Sequence, residues 1–261
     1  MYLWVIIATF ITSLFALGTS LRSDIKELYV EPQAQNVVTK LFVQHKSAMQ
    51  YLTTRDRAGK HLETRYQPGE ITTDMMNADL PFGFKPEEGI AKFTSWIYCL
   101  DKDNLEKKGA EALPDSCSGA VPPAGADPDA GVGNCCSGTG VTVYLVTYGC
   151  VPAKWRDLRS GKPSSSLLNS MMSTTGYVDG MGYVIPKKEF GKVSDDLIDT
   201  DMGIFVHGYK KYTPIPNYII NTSTGGRSFA SVCGNLKGSG GSAATGVQDS
   251  CDYCLVYMTA F

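Results

Sequence analysis

The first twenty-one residues, Met1 to Leu21, contain no charged side chain. They run from Tyr2-Leu3-Trp4-Val5-Ile6-Ile7-Ala8 through Phe10-Ile11 to Leu14-Phe15-Ala16-Leu17. At about 1.5 Å per residue, a helix of this length covers roughly the 30 Å of a bilayer's hydrocarbon core. The run therefore dictates where the rest of the chain must fold. Two readings of it stand. Ala16-Leu17-Gly18 offers the small residues that a signal peptidase accepts, which fits a cleaved secretory signal. Against cleavage, no Lys or Arg precedes the run, and it exceeds the ~7–15 residues of a signal's apolar core. The retained anchor is the reading carried forward, and both readings export the chain.

Flanking charge orients the span weakly, because Arg22 and Lys26 are offset by Asp24 and Glu27. The cysteines orient it better. There are eight, Cys99, Cys117, Cys135, Cys136, Cys150, Cys233, Cys251 and Cys254, all beyond the apolar run. An even set in an exported chain indicates disulfides, which persist in a periplasm or outside the cell and are rare in a cytosol. All eight are disulfide candidates, and the C-terminal bulk is placed outside the cytoplasm. Connectivity is open, although the adjacent Cys135 and Cys136 should reach different partners. Three of the eight fall in the loop-rich stretch from Pro114 to Gly140, too poor in apolar residues to order itself without cross-links.

Residues 23–60 follow with Val37, Val38, Leu41, Phe42, His45, Met49 and Leu52, spaced by threes and fours. This spacing puts an apolar packing face on one side of a helix. Lys40 falls off that face and is expected on the surface, and Pro32 is expected to break or kink the chain ahead of it. Further on, Phe93 to Leu100 reads as a strand or short buried helix, and Val141 to Tyr148 as the clearest strand. Leu158 to Ser173 can form a helix around Leu167, Leu168, Met171 and Met172. Tyr183 to Ile185, Gly203 to His207, Tyr218 to Ile220 and Tyr253 to Phe261 read as strands. The expected class is α+β: a membrane-spanning helix continuing into an amphipathic one, then a disulfide-linked domain with a mainly antiparallel sheet. The expected boundaries are an anchor over 1–22, a helical stalk over 23–60 and an exported cysteine-rich domain over 61–261.

With 24 Lys and Arg against 26 Asp and Glu, the net charge is −2, which leaves no basic footprint for nucleic acid. No phosphate-binding loop, nucleophile elbow or His-Glu-x-x-His helix occurs. Gly131-Val132-Gly133 and Gly238-Ser239-Gly240-Gly241 lack the flanking strand and helix of a phosphate cradle. No sequence cue ties His45, His61 or His207 to a nucleophile or carboxylate, and His45, on an apolar helical face, suits packing. Cys251-Asp252-Tyr253-Cys254 has the spacing of a redox dithiol or half a zinc site, but it leads into a strand rather than a helix and its neighbours are acidic. No catalytic, cofactor-binding or metal-binding residue is expected, and no cofactor.

Several features occur in a familiar order. The apolar N-terminus is followed by a helix ending in Ser47-Ala48-Met49-Gln50-Tyr51, then Gly69-Glu70-Ile71, Leu80-Pro81-Phe82-Gly83-Phe84 and Trp96. Leu167-Leu168-Asn169-Ser170-Met171-Met172, Gly182-Tyr183-Val184-Ile185-Pro186 and Pro214-Ile215-Pro216 continue the series. This pattern resembles the PilM family of type IVb (thin) pilus systems on conjugative plasmids, over about half the chain. The stretch from Cys99 to Cys150 and the tail after Arg227 depart from it. The resemblance implies a bitopic, non-catalytic component of a pilus assembly apparatus. It would sit in the bacterial inner membrane through Met1–Leu21, with its C-terminal domain in the periplasm and other pilus proteins as partners. A minor pilin or adhesin displayed on the filament outside the cell is the second reading. A prepilin reading lacks a charged leader and a Glu where Val5 stands. A periplasmic thiol oxidoreductase using Cys251 and Cys254 is the third.

Overall fold

A β-strand turns successive side chains to opposite faces, so a strand apolar at every position must be covered on both sides. Residues 94–101 and 141–151 are apolar on both faces at most positions and buried nearly throughout, and helices cover both faces of the sheet they form. The computed structural model describes residues 32–53, 68–85, 91–101, 136, 140–151, 164–175, 180–186, 200–206, 211–221, 228–233 and 253–261. The Met1–Leu21 run, the loop with Cys117 and Cys135, and Cys251 lie outside these residues. Among the described residues no helix is long and apolar enough to cross a membrane.

Helix α1 occupies 32–53. Strands β1 (Gly69–Ile71), β2 (Thr94–Asp101) and β3 (Val141–Val151) follow, then helix α2 (Ser165–Thr175) and strands β4 (Met181–Pro186), β5 (Met202–Val206) and β6 (Lys211–Pro214). Two short helices, α3 (Asn217–Asn221) and α4 (Phe229–Cys233), precede the last strand, β7 (Tyr253–Ala260). The seven strands form one sheet in the order β1-β2-β3-β7-β4-β5-β6, with every pairing antiparallel. The fold is α+β with an antiparallel sheet, as the alternation of apolar runs and turns implied. The C-terminal strand takes the central position.

The pleat sorts the core into two layers. On one face, Trp96, Tyr98, Leu100, Tyr144, Val146, Tyr148, Val256 and Met258 pack with Ile219, Ile220 and Phe229 of α3 and α4. On the other, Leu255, Tyr257, Tyr183 and Ile185 pack with Val37, Val38 and Leu41 of α1 and with Leu167, Leu168 and Met171 of α2. Ala48 and Leu52 continue α1 over Ile97, Val143 and Leu145. Helix α1 is thus one wall of the core over its described length, and the expected boundary at 60/61 lies outside the described residues. The apolar stripe that suggested a stalk face has the sheet as its partner.

Two expectations are corrected. Tyr218-Ile219-Ile220 is helical, because Pro216 sets the chain for a helix start and its carbonyl accepts from the N–H groups of Ile219 and Ile220 at 3.0 and 3.3 Å. Lys40 is buried, 9% exposed, and its Nζ donates to the Ala91 carbonyl at 3.1 Å. Gly180, with φ +78°, makes the turn into β4, and its carbonyl accepts from Met258 N–H at 2.9 Å. A Cβ there would run into the Met258 carbonyl, so this tight start to β4 requires glycine.

Candidate functional site

The most concentrated polar chemistry among the described residues lies between α1 and the sheet. Lys40, Gln44 and Ser47 fall at i, i+4 and i+7, one line along the helix. Gln44 Nε2 donates to the Phe93 carbonyl at 2.9 Å and reaches Ser95 Oγ at 3.5 Å. Ser47 Oγ donates to the Asp79 carbonyl at 2.9 Å. With Lys40 on Ala91, this line fastens α1 to the 91–95 segment and to the turn at 79.

His45, on the adjoining line, points straight into the sheet. Its Nδ1 lies 3.0 Å from Thr147 Oγ1 and its Nε2 lies 2.8 Å from Thr259 Oγ1. Thr147 Oγ1 in turn lies 2.9 Å from Ser95 Oγ. The register that sets Ser95 opposite Thr147 puts their hydroxyls on one face of β2 and β3, and β7 adds Thr259 on the same face. The imidazole stacks on Tyr257, with ring centroids 3.7 Å apart, and Phe42 stacks on the same ring at 6.2 Å. His45, Ser95 and Thr147 are fully buried. Burial, with a smaller push from the Lys46 ammonium, lowers the His45 pKa to about 3, so the ring is neutral.

A hydroxyl beside a neutral imidazole provides the two parts of a nucleophile and its base. Here the sealed position of Thr147 denies any substrate an approach, and both ring nitrogens are occupied by hydroxyls. What the arrangement does is fix the rotation and register of α1 on three strands at once. A polar group in an apolar interface is costly unless satisfied, so a shifted helix would strand several of them.

On the opposite face, Tyr98 oxygen accepts from Phe229 N–H at 3.3 Å, and burial pushes the Tyr98 phenol well above its ordinary pKa. The Tyr148 and Phe229 rings meet edge to face at 5.1 Å. Cys254 of β7 bonds Cys233 of α4, with Cα atoms 5.6 Å apart, which pins α4 over these aromatics.

The sequence-derived residues are placed as follows. Val37, Val38, Leu41, His45 and Leu52 of the packing face are buried, and Phe42 and Met49 are half-buried. Cys99 of β2 bonds Cys136, on the α1 side of the sheet. Cys150 is disulfide-bonded as well, with its partner outside the described residues. Cys117, Cys135 and Cys251 lie outside them. Cys254 is bonded to Cys233, so it does not form the redox pair with Cys251 that the Cys251-x-x-Cys254 spacing offered. Among the described residues no group of His, Cys, Asp or Glu could hold a metal ion.

The sequence reading missed Lys40, Gln44, Ser47, Ser95, Thr147 and Thr259. The one available signal was the polar line at i, i+4 and i+7 beside the apolar stripe, which has the same pattern as a solvated face. No protein-family model, curated protein or solved structure matches this chain.

Proposed function

We propose that this protein is a non-catalytic, exported structural component held to a membrane by its N-terminal apolar run. It works through protein contacts in a type IV pilus assembly system of the kind its feature order resembles. The observation that carries this reading is the keyed docking of α1. The helix that follows the apolar run in sequence is bolted to three strands by buried side chains, so force applied at the start of α1 passes directly into the sheet. Ten residues, 22–31, separate Leu21 from Pro32, a reach of at most about 33–36 Å. An anchor in Met1–Leu21 would therefore hold the domain close to the bilayer surface. The disulfides at Cys99, Cys136, Cys150, Cys233 and Cys254 suit an oxidising compartment such as the periplasm.

The outward side of α1 favours the assembly component over the filament subunit. Gln33, Gln35, Asn36, Thr39, Lys46, Gln50 and Thr53 are exposed, a polar surface unsuited to packing this stretch into an apolar filament core. Deleting the gene in a piliated host is expected to abolish pili or pilus-dependent transfer, with restoration by the wild-type chain. Normal pili and normal transfer in the deletion strain would overturn the proposal.

A further inference from the structure

Strands β3 and β7 pair without interruption, with Cys150 opposite Cys254 and Val151 opposite Tyr253. Val143 and Phe261 exchange both backbone hydrogen bonds, Phe261 N–H to Val143 oxygen at 2.9 Å and Val143 N–H to Phe261 oxygen at 3.4 Å. In an antiparallel ladder such pairs alternate with pairs that exchange none. Counting from 143 through 145, 147 and 149 to 151 places Cys150 and Cys254 at a non-hydrogen-bonded position. There the Cα atoms lie about 4.5 Å apart with side chains on the same face, within the range of about 4.4–6.8 Å that a disulfide needs. Yet the two are not bonded to each other: Cys254 holds Cys233, and Cys150 holds a cysteine outside the described residues. Two cysteines of different disulfides, Cys150 and Cys254, therefore stand within bonding range of each other. Their accessibility differs, because Cys233 and Cys254 are fully buried whereas Cys150 is part-exposed.

We infer that Cys150 and Cys254 are an internal thiol–disulfide exchange pair that passes reduction from the surface to the buried Cys233–Cys254 bond and so releases helix α4. An external thiolate attacks Cys150 Sγ, a mixed disulfide forms there, and the former partner leaves as thiolate; a second external thiolate attacks the external sulfur of that mixed disulfide, and Cys150 leaves as thiolate. The Cys150 thiolate attacks Cys254 Sγ. The Cys150–Cys254 bond forms, the Cys233–Cys254 bond breaks, and Cys233 leaves as a thiolate that takes a proton from water. No net oxidation occurs within the trio, since one disulfide is exchanged for another. The electrons enter only from the two external thiols, which leave joined as a disulfide.

The consequence is mechanical. Helix α4 has five residues, too short to persist alone, and the Cys233 bond ties it to the sheet together with the Phe229 ring and the Phe229 N–H bond to Tyr98. Transfer of the bond to Cys150 ties β3 to β7 and frees α4, uncovering Tyr98 and Tyr148.

The test is to expose the oxidised full-length protein to graded glutathione at mildly alkaline pH. Samples are quenched in acid, free thiols are alkylated, and the linkages are mapped by mass spectrometry. A peptide joining Cys150 to Cys254 should accumulate at partial reduction, with label on Cys233 ahead of Cys254 and faster amide exchange over 229–233. Labelling of Cys150 with Cys233–Cys254 intact and no Cys150–Cys254 peptide would overturn the inference. In Cys150→Ala, with its partner thiol alkylated beforehand, reduction of Cys233–Cys254 should slow by about tenfold or more, since only direct attack on buried sulfur remains. An unchanged rate in that variant would equally overturn it. The wild-type map decides by itself if the variant does not fold.

Discussion

His45 shows how one residue can make docking conditional on pH. Its folded pKa is about 3, below the ordinary value of about 6.5 that applies in the unfolded chain. Between these values the unfolded state binds the proton and the folded state does not, so stability rises with pH. The contribution is fully present above about pH 6.5 and is lost as the pH falls toward 3. From pH 7 to pH 5 this amounts to about 2 kcal/mol. Denaturant unfolding at the two pH values should show that loss in the wild type and less than half of it in His45→Gln. An equal loss in both would mean that other groups carry the acid sensitivity. Lys40 makes a second prediction, opposite to the one its place off the apolar stripe suggests. Lys40→Asp sets a carboxylate against the Ala91 carbonyl and should cost several kcal/mol, comparable to Val38→Asp. Thr39→Asp, on the exposed side, should cost under about half a kcal/mol. Thermal unfolding of the three variants would check the order.

Among the elements, those legible in the sequence were the ones with a strong period or a strong β-branched run. Helix α1 followed from Val37, Val38, Leu41 and Leu52, and β3 from Val141 to Tyr148, where sequence and burial agree. Helix α3 was misread because Tyr218-Ile219-Ile220 has strand-like composition, while the decisive information is Pro216 before it and the Asn217 side chain, whose Oδ1 accepts from Asp201 N–H at 2.9 Å. The docking line of Lys40, Gln44 and Ser47 was illegible for a different reason. Its partners are backbone carbonyls at 91, 93 and 79, and no residue type announces which carbonyl will face a helix. Leu41→Ala, which removes a fully buried side chain from the apolar α1 interface, should cost about 2–5 kcal/mol in global stability, read from denaturant unfolding. Native-state hydrogen exchange should then show α1 and β7 opening together, as expected of one cooperative unit.

Across the whole molecule, the central position of β7 joins the two halves of the sheet, β1-β2-β3 and β4-β5-β6. Among the described residues β7 is the strand that hydrogen-bonds to both halves, so a chain ending before Tyr253 should not give a cooperative unfolding transition. The Cys99–Cys136 bond spans 37 residues, and closing a loop of that length removes about 4 kcal/mol of unfolded-chain entropy. Replacing both cysteines by serine should lower stability by about 2–4 kcal/mol, read from denaturant unfolding. In the proposed function the domain is exported and held near a membrane by a retained N-terminus. The measurement that tests this most directly is N-terminal sequencing of the native protein after cell fractionation, with its thiols counted. The expected result is a chain beginning at Met1, retained by inner membranes through alkaline washing, with its disulfides formed. A chain beginning beyond Gly18 and released by osmotic shock, or a cytosolic chain with free thiols, would contradict it.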